Sequence, residues 1–561
     1  MSPSIWEARS RMLHHAPMLM IITPLTGALV LRITNRFLPS QIYKDMITFF
    51  SLLIPVLLLL FSLPRMNGGA VVYEMGGWPR PFGISLVLDG LSSLMVLLVG
   101  IVTICSFVYS LEKKELIPKS ENYYFLFLFM SSGLYGVFLT GDIVNRFVFF
   151  EITILTTYVL ITYTGSRASL RASYYYLVVG SVASVMFLTG IGLLYFYTGY
   201  LDMDALSTAI PALPANVKNI IFAFFLVAAG VKVAIVPFHT WLPDAHVSAP
   251  TPMTAILAGV TVKTGAYIML KLFQIGFDTM LIRYLIAALG AITGLTAALV
   301  SMKYYDMKKI LAWLTISHMG TMLAVSALWT PGAVSAGILY LINHTLYKTL
   351  LFLSVGALVY LYGTADIRRI SLLKSNIILS AAVVIGLLSM AGLPPFNGFY
   401  GRYFLLETAG HQPVLSAVIL LIHFLTALSV FRIFRLSGTE SHQGDKLTES
   451  IMVPLVVLSG MCFVGGLTTW MFMSNMVNPA SFALTGEFYE AGFTWHLAYR
   501  NVLSMKGVLL LLTVVCAYVL SSRALKLPLE WSDGVISEVS LPDTIRYIVI
   551  IIAVLLLLNF I

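Results

Sequence analysis

Apolar runs of about 18–25 residues, each long enough to cross a bilayer, recur along the whole chain and are separated by short polar segments. They predict sixteen membrane-crossing helices near 17–31, 45–63, 84–110, 123–140, 143–163, 172–199, 218–240, 252–275, 280–301, 309–328, 332–361, 376–410, 413–437, 449–473, 505–522 and 545–561. Two runs are interrupted. The seventh breaks at VPFHTW (236–241), and the twelfth contains LSMAGLPPFNGFYGR (388–402), too polar and proline-rich for one straight helix. In each break a Pro–Phe step precedes two small or polar residues and an aromatic. The two breaks also hold the same place in successive groups of five runs. Five is odd, so two such groups cross the membrane in opposite senses, the pattern of inverted repeats with sites near the midplane.

The segments between runs are short. The longest, about 474–504, includes EFYEAGFTWHLAYR and reads as an interfacial helix. At the start, MSPSIWEARSRMLHHAP leads into a run with Pro24 and no small-residue cleavage site, so it reads as an uncleaved first helix.

Composition agrees with this pattern. Of 561 residues, 59% are hydrophobic and 11% charged, which excludes a string of soluble domains. The net charge of +9 lies in inter-helix loops and gives no reason to expect nucleic acid. Loops on one side hold Arg32, Lys44, Lys113, Lys114, Arg167, Arg171, Lys303, Arg368, Arg369, Arg432 and Arg523 among roughly twenty cations, against about ten opposite. That side is expected to be cytoplasmic, with both termini outside, in an energy-coupling cell membrane. Cys105, Cys462 and Cys516 are far apart within apolar runs and read as small buried hydrophobes, with no metal site and no cofactor expected.

Charges inside the runs alter the picture further. Each costs a few kcal/mol and needs a partner or a wet path. Glu151, Lys232, Lys263, Lys348 and Arg402 fall in the central runs, joined by His318 and His344, with Asp89 apart in the third. Taken singly, each has a structural explanation. Glu151 and Lys232 suit a buried ion pair, Lys263 could snorkel, His344 and Lys348 share a helix face, and His318 suits a satisfied core histidine. As a series in consecutive helices they suggest a proton relay, with Glu151 tuning Lys232. Pro237 would open the helix beside Lys232, and His239 reads as a cap on the break or a proton carrier.

The same residues bring a resemblance. VKVAIVPFHTWLPDAHVSAPTPMTAILAGVTVKTGAY (231–267), FFEITILTTYVLI (149–161), DMKKILAWLTISHMG (306–320), NHTLYKTLLFLSVGAL (343–358) and AGLPPFNGFYGR (391–402) closely resemble the antiporter-like subunits of respiratory complex I, membrane-bound hydrogenases and Mrp-type sodium/proton antiporters. The resemblance spans about 120–440. It implies an all-α polytopic membrane protein with a fourteen-helix core, two inverted five-helix repeats and broken helices, here with about two extra C-terminal helices. Residues 1–120 would be N-terminal helices, 121–278 the first repeat with Glu151 and Lys232, 279–440 the second with Arg402, and 441–561 C-terminal helices. Glu151 and Lys232 become the coupled pair of the first half-channel, Lys263 the central-axis lysine, and His318, His344 and Lys348 its continuation.

Arg402 occupies the terminal position of the second half-channel, where the family usually has lysine or glutamate. Arginine hardly ever deprotonates, so Arg402 is a fixed cation with Glu407 or His411 exchanging protons, or that half-channel is altered. The first functional expectation is an ion-translocating, most simply proton-translocating, subunit of a redox-driven complex. An Mrp-type Na+/H+ antiporter subunit is the alternative, and a non-conducting scaffold a third. Expected partners are other membrane subunits, including antiporter-like paralogues and redox subunits, with protons or Na+ as cargo.

Overall fold

The structure, a computed structural model, describes residues 14–34, 37, 40–66, 69–112, 121–373, 375–438, 447–489, 502 and 504–524. It is a bundle of helices: α1 (Ala16–Thr34), α2 (Gln41–Met66), α3 (Gly90–Ser110), α4 (Glu121–Leu139), α5 (Ile143–Thr162), α6 (Arg167–Thr198), the short α7 (Met203–Ala209), α8 (Ala215–Val233), α9 (Trp241–Ser248), α10 (Thr251–Gln274), α11 (Met280–Ser301), α12 (Met307–Ser326), α13 (Pro331–Tyr362), α14 (Ile377–Ala391), α15 (Asn397–Thr408), α16 (Pro413–Leu436), α17 (Glu449–Leu467), α18 (Thr469–Phe472), α19 (Asn478–Thr485) and α20 (Met505–Ala524). Among the described residues, twelve helices are long and apolar enough to cross a membrane. The remaining expected runs within the described residues are also helical: α12, the broken α14–α15, and α20. The sixteenth run (545–561) and much of EFYEAGFTWHLAYR lie outside the described residues.

Local sequence sets the helix ends. Asp142, Ser166, Thr279, Asp306 and Thr330 each accept a hydrogen bond from a backbone N–H of the first turn they cap. Small residues allow close crossings. A Cβ on Gly290 of α11 would sit 2.6 Å from the Gly320 carbonyl of α12, so only glycine allows the two backbones to meet there.

The inverted repeat is visible in the hydrogen bonds. Asp142 and Asp202 form an isolated antiparallel bridge, and so do Asp306 and Asp366. In the first, Ile143 N–H donates to the Leu201 carbonyl and Met203 N–H to that of Gly141; in the second, Met307 donates to Ala365 and Ile367 to Tyr305. Each bridge ties the start of one helix (α5, α12) to the residues just after the next (α6, α13). That next helix ends on a left-handed glycine, Gly199 or Gly363. Five crossings separate the two bridges, so they lie on opposite membrane faces. The second is on the basic face, where Arg368 grips Asp366 through both carboxylate oxygens and holds that carboxyl below its ordinary value.

Both helix breaks are built alike. α8 ends with the N–H groups of Ala234 and Ile235 bonded back to the Gly230 carbonyl, with Ala234 left-handed at φ 60°. α14 ends with Gly392 and Leu393 bonded to the Leu388 carbonyl, with Gly392 at φ 71°. These are Schellman-type ends. The chain therefore leaves the helix before Pro237, not at it, because a proline removes a donor and crowds the preceding turn.

Several details correct the sequence reading. The third run begins at Gly90, and Asp89 caps it reciprocally with Ser92 instead of lying within it. The residues before it form a hairpin, β1 (Val71–Glu74) antiparallel to β2 (Ser85–Leu88). α10 contains a π-helical turn, Leu257–Thr261. Cys105 and Cys462 are buried as expected, but Cys516 is exposed on α20.

Candidate functional site

α8 ends near mid-bundle and delivers Lys232, which is 2% exposed, into an aromatic cradle. Its Nζ lies 5.2 Å from the Phe150 ring centre and 5.4 Å from that of Tyr176, and it donates to the Tyr176 hydroxyl at 2.8 Å. Glu151, next to Phe150 on α5, accepts a hydrogen bond from Ser184. No N–O contact within 4.0 Å joins Glu151 to Lys232, so the two do not form a direct ion pair here. Tyr176 and Ser184, both on α6, each hold one member.

The break itself is held by side chains. Trp241 Nε1 donates to the Val231 carbonyl at 2.8 Å, adding a partner at the buried end of α8. Thr240 precedes α9 without a side-chain cap, and the His239 ring lies edge-on to Trp313 of α12, 5.4 Å between centres. Just before the break, α8 meets α10 with almost no gap. A Cβ on Gly265 would stand 2.5 Å from the Val233 nitrogen.

Two residues earlier, Lys263 is fully buried and cannot snorkel. Its ammonium donates to the Ala258 carbonyl within the π turn. A π turn loosens the regular ladder at sites that need backbone groups for other work, and here it supplies a cation with a carbonyl. Lys348 on α13 is also fully buried and donates to the Leu311 carbonyl of α12 at 2.9 Å. His344, one turn away on α13, faces His318 of α12 at 5.6 Å between ring centres.

His318 joins these groups to Arg402. Arg402 Nη2 stands 3.5 Å from His318 Nε2, and Tyr347 Oη 3.2 Å from Nδ1. Guanidinium nitrogens only donate, so Arg402 is the donor in its contact with Nε2, which also lies 3.3 Å from Thr426 Oγ1. Arg402 also donates to the carbonyls of Gly398 (3.2 Å), Ser389 (3.4 Å) and Met390. Two of these belong to the last turn of α14 and one to α15, so the guanidinium ties both halves of the broken helix together. His344, His318 and Arg402 thus lie together at the second break, while Glu151 and Lys232 lie at the first.

This arrangement can be set beside known proteins. A family model described as the NADH:quinone oxidoreductase/Mrp antiporter transmembrane family matches residues 140–429. The chain belongs to this family. Among its relatives, the Na(+)/H(+) antiporter D subunit of Alkalihalophilus pseudofirmus is 32% identical over 413 residues, 71% of this chain and 83% of that one. The corresponding D subunit of Bacillus subtilis is 32% identical over 421 residues, 74% and 85% of the two chains. A chain of the membrane-bound sulfane sulfur reductase, an archaeal respiratory membrane complex, matches with a TM-score of 0.78 and 25% identity over 87% of this chain and 99% of its own. A chain of the Mrp complex from a Dietzia species has the same fold, with a TM-score of 0.77 at 23% identity over 88% and 100%.

In this antiporter-family fold, other expected residues fall outside the series. Glu407 lies more than a turn beyond Arg402 and pairs with Lys506 of α20 at 2.9 Å, both about one-third exposed (37% and 31%). His411 is exposed beside a groove between α11 and the end of α15. Several buried charged or titratable residues were missed, four of which stand out. His246 on α9 packs edge-on to Phe352, within electrostatic reach of Lys348 and Lys263. His423 on α16 lies beside Arg402. Arg146 and Lys271 line a cavity of about 180 Å³ on the face opposite the basic one, together with Arg80, Asp89 and Asp204. Lys271 pairs with Asp89 there at 2.9 Å, and Arg146 donates to the Thr140 carbonyl at 2.6 Å. A charge so near a run's end reads as an ordinary flank, which is why these two escape a reading of the sequence.

Proposed function

We propose that this chain is the antiporter-like, proton-conducting subunit of an Mrp-type multisubunit Na+/H+ antiporter assembly. The observation that supports this reading most is the series of seven buried or partly buried ionisable side chains through the two helix breaks, in a fold shared with the antiporter relatives. In this reading residues 121–278 form one half-channel repeat and 279–440 the other, flanked by 1–120 and 441–561. Lys232 takes up a proton when Glu151 is near and passes it on when Glu151 withdraws. Tyr176 holds Lys232 and Ser184 holds Glu151 while that exchange proceeds. Lys263, Lys348, His344 and His318 relay it to the second break. The cation excess on the loops puts the basic face in the cytoplasm. Other membrane subunits complete the assembly.

The sequence alone ranks a redox-driven complex first; the Na(+)/H(+) antiporter relatives reverse that order. Likeness to a chain of a respiratory complex keeps redox coupling as the second reading. The purified assembly in proteoliposomes separates the two. Antiport predicts that an imposed sodium gradient drives a pH change without any electron donor. A pH change that appears only with an electron donor and acceptor, with or without sodium, would transfer the chain to the second reading.

A further inference from the structure

The second half-channel ends on a residue that cannot release a proton, because Arg402 stays charged and is spent on holding three carbonyls. Something beside it must do the exchanging if protons leave there. Glu407, the sequence candidate, is already paired with Lys506 at the opposite face.

His423 is placed for the task. It is 2% exposed, and among the described residues neither ring nitrogen has a well-directed hydrogen-bond partner. Buried polar groups seldom go unpaired without water or a function. Its Cε1 and the Arg402 Nη1 lie 2.9 Å and 3.0 Å from the point where a Gly392 Cβ would stand, so the bare glycine of the break is what lets the two side chains meet. Of the charged or titratable groups on helices packed against it, Arg402 on α15 and His318 on α12 act on it. α11 and α14 present none toward it, and α20 brings the Leu510 carbonyl nearby. One turn from Leu510 along α20 is Lys506, with Glu407 against it.

We propose that His423 is the proton-exchanging group of the second half-channel, discharging along the seam of α15, α16 and α20 past the Glu407–Lys506 pair. The inference rests on the proton-path reading above. The step balances on the ring itself: one free nitrogen takes a proton arriving past His318 and Arg402, and the other gives one up toward α20, returning a neutral imidazole. Arg402 then acts by positioning, since its fixed charge keeps the imidazolium from being a resting trap.

The test is antiport by the reconstituted complete assembly, measured as sodium-driven pH change from pH 6 to 9, for His423→Asn, His423→Gln and Lys232→Ala. Neither amide can exchange protons, and the two differ in length, so packing is preserved in at least one. The expected result is at least a tenfold loss in both amide variants, and loss of the pH limb that an imidazole imposes. Glu407→Gln should cut the rate severalfold while keeping that limb. An amide variant with the wild-type rate and pH profile, while Lys232→Ala abolishes antiport, would overturn the assignment to His423 alone. Full antiport in Lys232→Ala would instead overturn the underlying path.

Discussion

Replacing Arg402 by lysine keeps the charge and removes the fork. The guanidinium reaches the Ser389, Met390 and Gly398 carbonyls and the His318 ring. A single ammonium at the end of a shorter stem can hold one of those carbonyls. Hydrogen bonds to a charged donor contribute about 1.5–3 kcal/mol each. The Ser389 bond, at 3.4 Å, is long and counts for less. Losing two carbonyl bonds, with water partly replacing them, should destabilise the fold by about 3 kcal/mol. SDS-induced unfolding of the purified chain, followed by tryptophan fluorescence, reads this directly. Antiport should persist at reduced rate, because the cation beside His318 remains. If Arg402→Lys unfolds within about 0.5 kcal/mol of the parent, the guanidinium does not brace the broken helix and the reasoning fails.

Other perturbations test separate parts of the structure. Gly265→Ala forces a methyl against the Val233 nitrogen and the Ala229 carbonyl. It should cost about 2 kcal/mol or more in the same unfolding assay, and a neutral result would mean that α8 and α10 do not cross there. Ala234→Gly should stabilise by about 0.5–1 kcal/mol, because it relieves a left-handed alanine at the α8 end; a loss of stability would place Ala234 in an ordinary conformation. Asp89→Asn keeps the cap on α3 but strands Lys271, at a cost of about 3 kcal/mol. The double variant Asp89→Asn/Lys271→Met should recover most of that loss, and simple additivity would show that the pair does not interact.

The architecture was readable because membrane helices must be long and apolar, and because their breaks require proline, glycine or polar residues in places where nothing else explains them. Lys232, Lys263, His344, Lys348 and Arg402 stood out for the same reason: an ion in a long apolar run is expensive. Details set by the backbone were not readable. LAGVT has an ordinary helical composition, so its π turn leaves no signature, and Ala234 gives no hint of its left-handed conformation. The separate anchors that α6 gives the two residues, Ser184 to Glu151 and Tyr176 to Lys232, depend on where α6 packs, which periodicity does not specify. His423 was passed over because a lone histidine in an apolar run looks like core. Only the contact of α16 with the second break puts it beside Arg402. The second strand of the hairpin before α3, Ser85–Leu88, was absorbed into the apolar run it leads into.

The central claim is that ions cross through the buried series and that Glu151 governs Lys232. The most direct measurement is sodium-driven proton movement by the complete assembly in proteoliposomes, comparing wild type with Glu151→Gln and Lys232→Ala at equal assembly yield. The account predicts that both variants lose antiport at least tenfold while other subunits remain bound. Wild-type flux in Glu151→Gln would contradict it.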